Sequence, residues 1–322
     1  MKKRLIVPAF LMAAISFAFN DNNRNDTTCT YLTINPGCPL VRITAPADSS
    51  PVVADGAELQ KISSQFKFTE GPAADKKGNV YFTDQPNDNI WKYDTKGNLT
   101  LFMSGAGRSN GLFIDRKGNI ISCADSANEM WQISPAKKTK VLVKNYNGKR
   151  FNGPNDLWIH PKGDMYFTDP FYKRDWWKHN TQEQAGQFVF YFNTKSGSVE
   201  PVDTTLQRPN GIVGTGDGKY LYVADIAGNK TYRYSIQQDG KLSGKMLFVE
   251  QGSDGMTIDR SGNLYLTGKG VTVYNPDGQK IAHIAVPENW TANVCFAGKD
   301  RDLLFITASV SVYTLKMKVK GY

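Results

Sequence analysis

Short apolar runs separated by tight, glycine-rich turns recur along most of the chain. Six segments share one pattern: a polar residue, a short apolar run, a Gly/Asp/Lys turn, and a β-branched and aromatic run. The polar residues that begin them are 39 to 55 residues apart and are Glu70, Asn110, Asn155, Asn210, Asp254 and Asn293. A period in the forties with several short strands per repeat is typical of β-propeller blades. We therefore predict an all-β, six-bladed propeller.

The last repeat leaves room for only three strands after Asn293. The segment "AELQKISSQFKF", which ends two residues before Glu70, has the composition of a fourth strand. A strand from the amino-terminal side would close the last blade and leave no unpaired edge in that sheet. Helical periodicity is weak throughout, so the pattern does not favour an α/β fold.

The six leading residues occupy the same register, and the innermost strands of a propeller line its central channel. Six oxygen-bearing side chains are thus expected at one mouth of the channel. The alternative is that Asn-Gly and Asp-Gly pairs only begin turns. At Asn210 we expect Gly211 to make the turn while the amide points to the axis. Glutamate is not a turn former, so Glu70 favours the channel interpretation.

Carboxylate and amide oxygens without histidine or thiolate are ligands for a hard cation. Calcium takes about 6 to 8 oxygens in flexible geometry and fits this set best. Magnesium or manganese could replace it, while zinc, which prefers nitrogen and sulfur, is possible but less well matched.

A long loop follows the second strand of the third repeat, from Asp169 to Gly186. Its aromatic residues either form a wall of the channel mouth or pack on a neighbouring blade, and they are Phe171, Tyr172, Trp176 and Trp177. Aspartates that end the second strands are expected to form turns, and they are Asp84, Asp125, Asp169 and Asp225.

The amino-terminal residues predict export. Residues 1–18 combine a basic start, an apolar run and a small-residue cleavage site, as in a signal peptide. The alternative is an uncleaved anchor, but the apolar run is shorter than the roughly 20 residues of a membrane span. Residues 19–56 form an extension whose Cys29 and Cys38 could pair in an oxidising compartment. The propeller is assigned to residues 57–322, and the protein is expected to be periplasmic or secreted.

The distribution of charge argues against a nucleic-acid-binding protein, and the remaining two cysteines are not expected to form a disulfide. Cleavage after residue 18 would remove three basic residues from the formal charge of +9 and leave +6. The lysines are scattered over turns, which indicates a solvated surface and no nucleic-acid partner. Cys123 and Cys295 lie in apolar runs and are predicted to be free thiols.

Five ordered motifs resemble the gluconolactonase, senescence marker protein and luciferin-regenerating-enzyme-like family of six-bladed propellers. They are "FTEGPAADKKGNVYFTD", "NGPNDLWIHPKGDMYFTDPFY", "RPNGI", "YLYVAD" and "SDGM". The resemblance runs from about residue 60 to the carboxyl terminus and implies a divalent-metal-dependent lactonase or esterase, with calcium as the usual metal.

The resemblance also implies roles for individual residues. Glu70, Asn210 and Asp254 match the metal ligands, and Asn155 matches an amide that binds metal or substrate. Asp254 is implied as the general base. Arg150 matches the arginine of an Arg-x-Asn element that contacts substrate. Position at the mouth adds two candidate substrate-binding residues, Asn110 and Tyr172.

These observations lead to one hypothesis and two alternatives. The hypothesis is hydrolysis of a sugar lactone, with the attacking water deprotonated by Asp254 or activated on the metal. The same site could act on an aryl ester, a thiolactone or a phosphotriester. The third possibility is a non-catalytic binding module, because a propeller fold does not fix function. The oligomeric state is not determined.

Overall fold

Six four-stranded antiparallel sheets and one small two-stranded sheet form the described part of the chain, which confirms the predicted all-β, six-bladed propeller. The structure is a computed structural model that describes residues 50–322. The predicted signal peptide (1–18), and Cys29 and Cys38, lie outside the described residues. A three-residue 3-10 helix, Gln85–Asn87, is the only helix in the described range.

The first three blades each run outward from the axis in chain order. Blade 1 contains β2 (Thr69–Ala74), β3 (Val80–Asp84), β4 (Asn89–Tyr93) and β5 (Leu99–Ser104). Blade 2 contains β6 (Ser109–Ile114), β7 (Ile120–Ala124), β8 (Glu129–Ile133) and β9 (Thr139–Val143). A small hairpin of β10 (Asn145–Tyr146) and β11 (Lys149–Arg150) leads to blade 3, which contains β12 (Leu157–Ile159), β13 (Met165–Asp169), β14 (Phe188–Phe192) and β15 (Val199–Asp203).

The remaining blades complete the ring. Blade 4 contains β16 (Pro209–Gly214), β17 (Tyr220–Asp225), β18 (Lys230–Ile236) and β19 (Leu242–Val249). Blade 5 contains β20 (Met256–Ile258), β21 (Leu264–Gly268), β22 (Gly270–Tyr274) and β23 (Lys280–Ile284). Blade 6 contains β24 (Thr291–Ala297), β25 (Leu303–Ala308) and β26 (Ser311–Lys316), with β1 (Gln60–Ser63) as its outermost strand.

Strand β1 comes from the amino-terminal side and pairs antiparallel with β26. Val53 forms a further bridge with Met317, and Val52 is buried in the core beside blade 6. The chain therefore meets the propeller a few residues before the predicted boundary at residue 57.

A repeated Asp-x-x-Gly-Asn turn connects inner to second strands. In blade 1, Asp75 Oδ1 accepts hydrogen bonds from the backbone N–H groups of Lys77 and Asn79, at 2.8 and 3.0 Å. Gly78 has a φ of +89°, a conformation that glycine adopts without steric cost. Asp115 and Asp259 make the same turn in blades 2 and 5.

Six apolar clusters lie between the blades, one at each of the six interfaces. Phe82 of blade 1, for example, packs on Phe305 of blade 6, with ring centroids 5.4 Å apart. Both rings are fully buried. Alternating side chains of each sheet enter the two neighbouring interfaces, so every blade contributes to two clusters.

Hydroxyl groups also join neighbouring blades close to the axis. Thr83 Oγ1 of blade 1 donates to the backbone carbonyl of Asn110 in blade 2, at 3.1 Å. Thr168 Oγ1 of blade 3 donates to the carbonyl of Asn210 in blade 4, at 2.7 Å. These bonds fix the positions of Asn110 and Asn210 along the channel axis relative to the preceding blade.

The aspartates that end second strands make contacts beyond the turns predicted for them. Asp84, Asp169 and Asp225 each accept two backbone N–H bonds from the segment that precedes the inner strand of their own blade. Each carboxylate thereby fixes the backbone segment that leads into the inner strand and its leading residue.

Two further features concern the described range as a whole. Cys123 and Cys295 are free, as expected, although Cys295 is only half-buried. No helix within residues 50–322 is long and apolar enough to cross a membrane.

Replacing Thr83 by valine should lower the free energy of unfolding by about 1 to 2 kcal/mol, because the buried carbonyl of Asn110 loses its donor at nearly constant side-chain volume. Urea unfolding would measure this. Thr100→Val, an exposed position on β5 of the same blade, is the control. An equal, small effect of both substitutions would contradict the bridging role.

Candidate active site

One mouth of the central channel opens into a cavity of about 340 Å³. Acidic, amide, basic and aromatic side chains line it together. The lining residues are Phe68, Glu70, Asn110, Asn155, Tyr172, Arg174, Arg208, Ile226, Ala227, Asp254 and Trp290.

The structure brings together most of the predicted site residues. Glu70, Asn110, Asn155 and Asp254 line the cavity directly. Asn210 lies beside them, because its Nδ2 donates to Tyr172 Oη at 3.0 Å and to Asp254 Oδ1 at 2.9 Å. Strand pairing is irregular at the leading residues of blades 1, 2 and 4. Such bulges re-aim side chains next to functional sites.

Blade 6 departs from the predicted register. Thr267 of blade 5 donates to the backbone carbonyl of Ala292 in blade 6, at 2.8 Å. Thr83 and Thr168 make the equivalent bond to the leading residue of the blade that follows their own. Ala292 therefore occupies the leading position, and Asn293 lies one residue deeper in the channel. The expected ring of six oxygen-bearing residues is thus a ring of five, because one extra residue in the inner strand shifts blade 6.

Gly211 does not make the turn that the Asn-Gly pair predicts. Its φ is not positive, unlike that of many other glycines in the protein. A Cβ at this position would lie 2.8 Å from the backbone oxygen of Asp254 in blade 5. Glycine is required here because neighbouring inner strands approach closely, and the turn interpretation of this pair was wrong.

Asp254 is held at both carboxylate oxygens. Oδ1 accepts from the Asn210 amide, and Oδ2 accepts from Trp290 Nε1 at 2.6 Å. Burial raises the pKa of Asp254 to about 6, although the indole, the amide and the Arg174 charge oppose the shift. An oriented carboxylate with a pKa near neutrality suits a general base.

Two buried amide oxygens at the mouth have no partner. Within residues 50–322, neither Asn110 Oδ1 nor Asn210 Oδ1 accepts a hydrogen bond. Leaving such an atom buried and unpaired costs about 1 to 3 kcal/mol. A cation ligated by these oxygens would remove that cost.

The donor set fits a hard cation. Glu70 and Asp254 supply carboxylates, and the asparagines supply neutral oxygens, which is the mixture that calcium and magnesium use. No group of three His, Cys, Asp or Glu side chains in the described range is arranged to hold a metal. A cation here would therefore depend on the amide oxygens.

The floor of the mouth is a contact across the axis. Asn293 Nδ2 lies 3.4 Å from Asp156 Oδ2 and 3.3 Å from Glu70 Oε2. Blades 3 and 6 are opposite in a ring of six, so this contact spans the channel. Burial raises the pKa of Asp156 to about 7 and the pKa of Glu70 well above its usual value, with Asp254 adding to both shifts.

The long loop after Asp169 serves both of its predicted roles. Tyr172 faces the cavity, whereas Trp177 is buried and donates to the backbone carbonyl of Asp125 in blade 2, at 2.7 Å. Trp176 donates to Asp125 Oδ2 at 2.8 Å, and Arg174 Nε lies 3.5 Å from the same oxygen. Asp125 thus fastens the loop of the next blade, which its prediction as a simple turn residue did not include.

Arg150 is not brought to the cavity. It lies in the small hairpin before blade 3, where its guanidinium pairs with Glu183 at 2.9 Å and donates to the carbonyl of Thr181. The structure therefore gives Arg150 a contact that holds the long loop, and it shows no contact between Arg150 and the other predicted site residues.

Several site residues were missed in the sequence. Trp290 lies in a polar loop with no periodic signal, and Arg174 and Arg208 resemble ordinary surface arginines. Asp156 carried a usable signal, because it stands where four other repeats have glycine after the leading residue.

The fold and the site together define a class: a six-bladed propeller with carboxylate and amide oxygens converging at one mouth. Residues 68–310 match the SMP-30/Gluconolactonase/LRE-like region family, and the chain belongs to this family.

Individual relatives agree with this assignment. A gluconolactonase of Zymomonas mobilis subsp. mobilis is 29% identical over 293 residues, which cover 82% of this chain and 82% of that protein. The structure of a gluconolactonase from Xanthomonas campestris superposes with a TM-score of 0.77 at 25% identity, covering 82% of this chain and 91% of that chain. The calcium-binding protein regucalcin from Agrobacterium tumefaciens shares the fold, with a TM-score of 0.71 at 20% identity and coverage of 83% and 96%.

Replacing Asp125 by alanine should release the long loop, because the carboxylate that accepts from Trp176 and pairs with Arg174 is lost. Trypsin cleavage after Lys173, Arg174 or Lys178 should become at least about tenfold faster, as expected for the loss of a charge-assisted hydrogen bond. Asp175→Ala, an exposed residue of the same loop, is the control. Equal cleavage rates in the two variants would show that Asp125 does not hold the loop.

Proposed function

We propose that this protein is a metal-dependent hydrolase that opens a sugar lactone. The observation that carries the proposal is the mouth cavity, where the unpartnered oxygens of Asn110 and Asn210 adjoin the carboxylates of Glu70 and Asp254. Membership of the family and the gluconolactonases among its relatives support a lactone-hydrolysing enzyme.

The cation would be held by Glu70, Asn155, Asn210 and Asp254. Calcium suits this oxygen set best, and magnesium, manganese or zinc are weaker candidates. When bound, the cation would polarise the lactone carbonyl and stabilise the negative charge that develops on its oxygen. A bound dication would also lower the pKa values of Glu70 and Asp254. This weakens Asp254 as a base, so activation of the water by the metal is kept as the alternative.

Asp254 would take the proton from the attacking water. Its two hydrogen bonds, to Asn210 and Trp290, fix the orientation of the carboxylate. Water adds to the carbonyl carbon, the ring C–O bond breaks, and the ring oxygen takes up a proton to give the open-chain hydroxy acid. Asn110, Asn155 and Tyr172 offer polar groups that can orient the hydroxyl groups of a sugar.

A second candidate substrate is an aryl ester or aryl lactone. The aromatic rings of Phe68, Tyr172 and Trp290 line the same cavity and offer stacking surfaces. A phosphotriester would use the same oxygen ligands. The hydrolases among the relatives make a purely non-catalytic binding module the weakest of the alternatives.

Export stays a prediction that rests on residues 1–18. A disulfide between Cys29 and Cys38 also stays a prediction. Cell fractionation and mass analysis of the mature amino terminus would test the first.

Calcium should stabilise the protein, because it would bind the folded mouth and not the unfolded chain. At a concentration of 100 times Kd, the gain is about 2.7 kcal/mol, or a rise in Tm of roughly 4 to 5 °C for a chain of this size. Glu70→Gln and Asn210→Leu should lose the rise, whereas Glu250→Gln, at an exposed position, should keep it. A rise of equal size in all three variants would place the cation elsewhere.

Asp254→Asn should lower kcat/KM for D-glucono-1,5-lactone at least about 100-fold, since a general base contributes about 10²- to 10⁴-fold. A pH-indicator assay of acid release would measure this, with and without a chelator. Asp277→Asn, at an exposed turn of the same blade, controls for the change of charge. Unimpaired turnover in Asp254→Asn and in chelator would refute the proposed mechanism.

A further inference from the structure

Two arginines line the cavity beside the candidate catalytic groups. Arg174 comes from the long loop of blade 3, and Arg208 precedes the inner strand of blade 4. Their guanidinium carbons lie 5.5 and 5.1 Å from the ring centroid of Tyr172. A cation-π contact keeps a guanidinium near the face of the ring while leaving its N–H groups available.

The two guanidinium groups differ in their partners. Arg174 Nε lies 3.5 Å from the carboxylate of Asp125. Within residues 50–322, the Arg208 side chain has neither an ion pair nor a hydrogen bond, and its Nε is buried without a partner. Arginine carries five N–H donors and is always charged, so an unpaired guanidinium in a cavity wall is ready to receive an anion.

The position of Arg208 is fixed by its own segment. Asp225 Oδ1 accepts from the backbone N–H of Arg208 at 2.9 Å, and Pro209 restricts the backbone that follows. Asn210 is the next residue, and its amide donates to the hydroxyl of Tyr172. Tyr172 therefore contacts Asn210 through its hydroxyl and Arg208 through its ring, so one side chain adjoins both the proposed cation ligand and the guanidinium.

Charge in the mouth points the same way. Asp125 balances Arg174, and a bound dication would balance Glu70 and Asp254. Within residues 50–322, Arg208 is then the guanidinium of the cavity lining without a carboxylate partner, so it would attract and orient an anionic group.

We propose that Arg208 forms a subsite for an anionic group, a carboxylate or a phosphate, carried by the lactone substrate away from its reacting carbonyl. This inference rests on the proposed lactone hydrolysis and names its substrate class: lactones of sugar acids that bear a second acidic group. The planar guanidinium would bind two oxygens of that group side by side, with Tyr172 beneath it.

The test compares three lactones: neutral D-glucono-1,5-lactone, 6-phospho-D-glucono-1,5-lactone and D-glucaro-1,4-lactone. For the native protein, kcat/KM should be at least about tenfold higher for one of the anionic lactones than for the neutral one. The phosphate and the carboxylate arms identify which anion is preferred. This comparison needs no variant and so does not depend on the folding of a mutant.

Arg208→Gln should reduce the preference for the anionic lactone at least about tenfold, and Arg208→Lys should keep part of it. The control is Arg233→Gln, since Arg233 also stacks on a tyrosine of blade 4, with its guanidinium carbon 4.9 Å from the Tyr220 ring, but is absent from the cavity lining. Calorimetric binding of 6-phosphogluconate, glucarate and gluconate to the same proteins gives a readout without turnover.

The outcomes separate the two levels of the proposal. Equal kcat/KM for neutral and anionic lactones, or equal losses on both in Arg208→Gln, would overturn the anion subsite and leave lactone hydrolysis intact. Failure to open any lactone would refute the proposed function, while selective binding of the anionic acids, lost in Arg208→Gln, would still support the subsite. Absence of that selective binding as well would overturn both.

Discussion

The inner strands of this propeller approach one another so closely around the axis that the residue after most leading positions has no room for a side chain. A Cβ on Gly71 would lie 2.1 Å from the carbonyl oxygen of Asn110 in the next blade. The same constraint requires glycine at position 211. Because the backbones are this close, little side-chain volume fits beside the axis at this level, and the leading side chains lie together at the mouth of the channel.

In blades 3 and 6 the residue after the leading position is not glycine, and the side chains of these two residues close the channel. Asp156 and Asn293 carry side chains at the crowded level and meet across the axis. A second cavity, of about 180 Å³ and largely apolar, lies on the other side of this contact and is lined by both residues. The polar chemistry is thereby confined to one mouth, where desolvation raises the pKa values of Glu70, Asp156 and Asp254.

Much of this arrangement could be predicted from periodicity. Strand number, blade number and the leading residues Glu70, Asn110, Asn155, Asn210 and Asp254 follow from a repeat that each blade must satisfy to bury its two faces. The one-residue shift at Ala292 could not be predicted, because the spacing from Asn293 to its turn matches the other repeats, and the true register is shown by the bonds that Thr267 and Gly255 of blade 5 donate to the Ala292 carbonyl. Trp290 and Arg208 are equally hidden, since they lie in loops, where no hydrophobic period constrains position.

The sequence by itself determined the six-bladed architecture, the family and the oxygen-bearing residues of the mouth. These depend on local patterns: alternating strands, Asp-x-x-Gly-Asn turns and a polar residue at each inner strand. Only the tertiary structure decided which side chains meet. It placed Arg150 in a pair with Glu183, set the Trp290 indole on Asp254, and left Arg208 beside Tyr172 without a partner in the described range. Such contacts join blades and loops that are far apart in the chain, and loop conformation is fixed by packing between blades and not by the repeat.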